Sequence, residues 1–182
     1  MIIADQKKRE NIAEYVLYMW QLEDLMRSIE LNPEKVGAIA AQFSEYDESV
    51  VEAAEKWYKN LIRQMKKEKI QESGHLREVQ DIVIELYYLH NTLLNIAKEK
   101  EYITLYEKAA PHLVELRKKS GKVSNEVELC FNALYGLLLL RLQKSPVSPD
   151  TETAMKSISD LTAFLAARYH RMKSGKMDFS QN

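Results

Sequence analysis

Apolar residues return every three or four positions along almost the whole chain, and no stretch alternates polar with apolar for long. That spacing fits the 3.6-residue turn of an α-helix and not the two-residue repeat of a strand. With 5 Gly and 4 Pro among 182 residues, few points are available to break the pattern. The chain is therefore expected to be all-α, a bundle of about six long helices plus one short helix. Short joining loops make the neighbours mostly antiparallel. One domain is drawn over residues 1–174 and a flexible tail over residues 175–182.

The breaks carry their own punctuation. A first helix is expected over residues 4–31, ended by Asn32-Pro33-Glu34. There an amide caps, a proline takes the first helical position, and an acid suits the positive end of the next helix dipole. A short helix follows through EKVGAIAAQF. Ser44 and Asp47 read as an acidic variant of the capping box ahead of a long helix to about residue 71. After Ser73-Gly74, further helices are expected over residues 76–98 and 101–118, the second kinked or interrupted at Pro111. A sixth, over residues 125–143, is apolar nearly all round. The last, over residues 149–172, opens at Ser148-Pro149-Asp150.

Charge excludes some roles. Lys+Arg (26) and Asp+Glu (27) nearly cancel, which argues against nucleic acid or membrane lipid as the main partner. The basic runs RQMKKEK and RYHRMKSGK mix with acids or close helices, where cations favour the dipole. The single cysteine, Cys130, forms no intrachain disulfide and sits in an apolar helix as a structural thiol. MIIADQKKRENIAEY lacks the apolar core of a signal peptide, and CFNALYGLLLL is too short to span a bilayer. A cytoplasmic protein is expected.

Three helices each place an ionisable residue where a core side chain belongs. Ile12, Val16, Met19 and Met26 form one line whose missing step is Glu23. Val79, Val83, Leu86 and Leu93 form another, interrupted by His90. Val127, Cys130, Leu134 and Leu137 lead to Arg141. Burying such groups unpaired costs several kcal/mol, so the economical expectation is that Glu23 pairs with His90 or Arg141 across helices. Against this, Arg141 stands near its helix end and can lift its head into water. Glu23 and His90 can also be ordinary hydrogen-bonded core groups. Tyr15, Tyr18 and Tyr87, with Trp20 nearby, either line a pocket around these groups or sit at helix edges with their hydroxyls in solvent.

Chemistry-bearing motifs are scarce. His75-x-x-Glu78 and His112-x-x-Glu115 reverse the order used in helical di-iron sites, so no metal or cofactor is expected. There is no His-Glu-x-x-His, no phosphate-binding glycine loop and no nucleophile elbow. Catalytic residues are therefore not assigned.

The early YVLYMWQLED and the later ELYYLHNTLLN, in an all-helical chain of this length, resemble an uncharacterised bacterial family. It is a domain of unknown function typical of gut Bacteroides-type organisms. The resemblance spans essentially the whole chain and implies a stand-alone helical protein without an assigned activity. The first and sixth helices have more apolar surface than one chain can enclose if both lie at the periphery. A non-enzymatic interaction protein is therefore expected, as a homodimer or with another protein partner. The alternative is a small-ligand binder or enzyme with a buried Glu/His/Tyr pocket inside the bundle.

Overall fold

The computed structural model describes residues 2–43 and 45–176, and among them every regular element is helical. The α-helices are α1 (Ile2–Glu10), α2 (Ile12–Ser28), α3 (Val36–Ala40), α4 (Glu48–Lys67) and α5 (Arg77–Asn91). After them come α6 (Lys100–Lys119), α7 (Glu126–Leu142) and α8 (Pro149–Lys173). The fold is an all-α bundle. α8 packs most broadly against α6 and also meets α2, α5 and α7, while α7 in turn touches α2, α5 and α6. α1 packs on α2, and α3 on α4.

The seams close as their spacing requires. Ile12, Val16, Met19, Glu23 and Met26 of α2 are all buried, as are Val79, Val83, Leu86 and His90 of α5 and Leu93 beyond its end. Each fully buried aliphatic chain contributes about 1.5–3 kcal/mol, which is how the stripe on each helix selects its neighbours.

Several boundaries differ from the sequence expectation. The first helix is two, because Asn11 leaves helical geometry at φ −152° and its side chain accepts from the N–H groups of Ala13 and Glu14. An amide cap has won over a continuous apolar period. His170 Nε2 on α8 accepts the Ile12 N–H at 3.1 Å, so the break also ties α2 to α8. α2 then ends at Ser28, with Glu30 and Leu31 both at positive φ. Asp47 is itself the residue flanking α4 and makes no side-chain cap bond, and Ser44, the other member of the expected box, lies outside the described residues. α5 passes into a π-helical turn at Thr92–Ile96, a wider coil that one helical period does not reveal. α6 runs through Pro111 without interruption. The expected tail lies, from residue 177, outside the described residues.

Candidate functional site

Glu23 is wholly buried, and its partner is not the one the seams suggested. His75 Nδ1 donates to Glu23 Oε2 at 2.6 Å, and the backbone N–H of Leu76 donates to Oε1 at 2.9 Å. Leu76 is the residue at the N-terminal edge of α5, where no local side chain caps the helix. A carboxylate from α2 therefore fills the capping role for α5, at the end of the helix whose dipole favours negative charge. The misfit letter of α2 joins two helices.

The loop that delivers His75 is held by Arg27, which donates to the carbonyls of Ile70 and Gly74 and to Asp24 Oδ1. Gly74 turns the chain at φ +93°, and a Cβ there would stand 3.3 Å from Ile70 Cγ2. The His75 ring stacks on Trp20 at 4.0 Å and 11°. Trp20 also meets Phe131 and Tyr135 of α7 edge-on. Tyr135 donates to Asp24 Oδ2 at 2.6 Å, and burial is the chief reason its hydroxyl pKa rises above the ordinary value.

His90 heads a second network. The Tyr102 hydroxyl lies 2.7 Å from His90 Nδ1, and His90 Nε2 lies 3.6 Å from Glu126 Oε2. The carboxylate facing Nε2 places the ring hydrogen there, which leaves Nδ1 to accept from the Tyr102 phenol, kept neutral by burial. Tyr106 also donates to Glu126 Oε2, at 3.0 Å, and Arg117 lies 3.9 Å from Oε1. The nearby His90 is the chief influence holding the Glu126 carboxyl below the usual range; burial opposes it, and the Tyr106 hydrogen bond lowers it further.

The expected pairing of Glu23 with His90 or Arg141 is thus corrected. Glu23 and His90 are satisfied by different partners, and Arg141 is exposed at the end of α7. Tyr87 stacks on His90 at 6.4 Å. Tyr18 is paired with Tyr58 and lies under Lys7. Tyr15 is buried beneath Lys8, and burial and Glu78 raise its pKa. The six candidates therefore do not form one pocket. His75, Tyr102 and Glu126 were the residues missed. Tyr102 had a signal, since Tyr102, Ala109 and Leu113 share the buried stripe of α6 and a phenol there needs a partner. Cys130 is buried, and burial pushes its thiol up to about 12, far from a working nucleophile. Among the described residues no three His, Cys, Asp or Glu side chains gather to hold a metal, and no helix is long and apolar enough to cross a membrane.

α7 carries the third feature. Its first half buries Val127, Leu129, Cys130 and Phe131. From residue 132 to 142 nothing is buried, although Ala133, Tyr135 and six leucines make eight of those eleven positions apolar. Leu139 and Leu140 are more than a third exposed and Leu142 is 63% exposed. A groove of about 590 Å³ runs along Leu17, Leu134, Leu138 and Met155, edged by Arg141, Glu152, Lys156 and Asp160. A second, of about 300 Å³, passes over Ala133 and Gly136, where an added Cβ would meet nothing within 4 Å.

Fold and site together define an all-α bundle with two acid–histidine networks, each with one buried member, and a last helical turn of α7 whose leucines stay exposed. No match exists among curated proteins or solved structures. A family model does match residues 1–176, and the chain belongs to that family, described as a domain of unknown function (DUF4924).

Proposed function

We propose that this is a cytoplasmic, bacterial, non-enzymatic interaction protein, one domain over residues 1–174, that binds a second copy of itself through the distal half of α7. One observation carries the reading: at the end of the most apolar helix Leu139, Leu140 and Leu142 remain exposed beside an apolar groove. Contiguous apolar surface of that kind marks an interface on a soluble chain. The edge of the groove favours a like partner over an unlike one. It carries two cations and two acids, and Lys156 already pairs with Asp160 at 3.1 Å. Arg141 and Glu152 have no partner among the described residues. In a two-fold arrangement each patch meets its own image, and the proposed pairing sets Arg141 of one copy against Glu152 of the other, twice over.

Light scattering at tens of micromolar tests this. The unaltered chain is expected to be a dimer. Leu138→Glu with Leu142→Glu gives a monomer whose secondary structure is unchanged. Arg141→Glu weakens the dimer, and adding Glu152→Arg to the same chain restores it. A strict monomer from the unaltered chain overturns the proposal.

A further inference from the structure

The joint between α1 and α2 is held by a titratable group. α1 ends at Glu10, Asn11 leaves helical geometry, and α2 starts at the buried Ile12. In one continuous helix the Ile12 N–H would donate to the carbonyl four residues earlier, that of Lys8. It donates instead to His170 Nε2 on α8, at 3.1 Å.

A ring nitrogen that accepts must carry a lone pair, so His170 is neutral, with its hydrogen on Nδ1. That same lone pair is where a neutral imidazole takes up its second proton. Protonation and the bond to Ile12 therefore exclude each other, because the imidazolium would set N–H against N–H. A donor left without an acceptor at a buried helix start is costly.

The surroundings favour the proton that the bond forbids. His170 stands in the last turn of α8, where the dipole favours a cation. It borders an open cleft of about 680 Å³ between α1, α5 and α8, and the charges facing it there nearly balance. Lys8 of α1 pairs with Glu78 of α5, and Lys173 of α8 pairs with Glu85, which also accepts from Tyr169. Glu68, just past α4, accepts the Arg77 N–H. The Arg77 guanidinium and the Asp81 carboxylate, one helical turn apart on α5, have no partner among the described residues. Asp81 thus gives an imidazolium released from Ile12 an acid to turn toward in the same cleft.

The joint positions a lightly held strap. α1 lies along α2 with Lys7 and Lys8 over the rings of Tyr18 and Tyr15, and Lys7 pairs with Glu14. Ala4 is buried, while Asp5 to Glu10 are not, and exposed ion pairs hold little. With Ala4 and Lys8, α1 roofs a cavity of about 180 Å³ over Tyr15, Met19, Leu61 and Val79.

We infer that His170 makes α1 an acid-released strap: the neutral ring fixes the α1–α2 joint, and the protonated ring lets α1 leave the trough formed by α2, α4 and α5. The tie is present above the histidine range and is lost as pH falls through it. None of this depends on self-association through α7.

The test follows ¹⁵N–¹H spectra of the full chain from about pH 7.5 down to about pH 5. The Ile12 amide signal is expected to move with the same midpoint as the His170 ring protons. Amide exchange in α1, corrected for the intrinsic effect of pH, is expected to quicken about tenfold at the acid end while α5 stays protected. His170→Gln supplies a side-chain carbonyl that accepts at every pH, so both responses should vanish in it. Three results would overturn the inference: an Ile12 signal indifferent to the His170 titration, exchange that quickens equally in every helix, or an acid response that survives in His170→Gln.

Discussion

The two acid–histidine networks are inverted copies of one arrangement. In the first, the carboxylate of Glu23 is 0% exposed and the imidazole of His75 is 28% exposed. In the second, the imidazole of His90 is 3% exposed and the carboxylate of Glu126 is 34% exposed. The contact distances follow the burial: 2.6 Å where the acid is inside, 3.6 Å where it leans in from the surface. A buried ion must have its lone pairs met closely, whereas a half-exposed one shares the task with water. The lesson concerns where the cost of breaking each pair resides. It lies on the buried member, which is the acid in one network and the histidine in the other.

The largest effect should therefore come from Glu23. Glu23→Ala leaves the Leu76 N–H and His75 Nδ1 without their acceptor and opens a cavity, for a loss of about 3 kcal/mol. For a chain of this size that is roughly 6–12 °C in melting temperature. Glu23→Gln should cost less, about 1–2 kcal/mol, because one amide oxygen still serves one of the two donors. Calorimetry showing Glu23→Ala within about 0.5 kcal/mol of the unaltered chain would break the comparison, since the acid would then not be the costly partner.

The next effect is at His90. His90→Leu removes the acceptor of a Tyr102 hydroxyl that has no exposure to water, at about 2 kcal/mol. The companion change Tyr102→Phe should recover part of that loss, because replacing both polar partners is far cheaper than replacing one. Denaturant melts of the two single variants and the double would show a coupling of about 1 kcal/mol. Simple additivity would mean that the phenol and the imidazole do not depend on each other.

This inversion was only half legible in the sequence. Glu23 and His90 announced themselves because each interrupts a row of apolar side chains at helical spacing, and both are buried. Their partners did not. His75 lies in a loop, where no periodicity applies, and it is brought to Glu23 by Arg27 gripping the carbonyls of Ile70 and Gly74. Glu126 opens α7, where an acid is already explained by the helix dipole and so raises no question. The split at Asn11 was hidden for a related reason: the apolar row continues across it, and only the cap chemistry of one amide breaks the helix. Periodicity reports which face is buried. It is silent on loops that fold back and on which residue from another helix arrives opposite.

The smallest effect sharpens the comparison through pH. The Glu126 carboxyl is held below its ordinary value of 4.5, chiefly by His90. A depressed carboxyl contributes stability that is present above the unfolded value and lost as pH falls through the folded one. Glu126→Gln should therefore lower stability at neutral pH by only ~0.5–1 kcal/mol, a modest figure because a third of the side chain is exposed and salt screens it. The gap between the two proteins should narrow as the pH drops below 4.5 and close once the folded carboxyl is protonated. Urea melts taken stepwise downward from neutral pH follow the narrowing. A gap that persists unchanged in acid would show that the ionised carboxylate contributes nothing. His90 would then be held by Tyr102 alone, and the second network would be a neutral hydrogen bond with an acid merely near it.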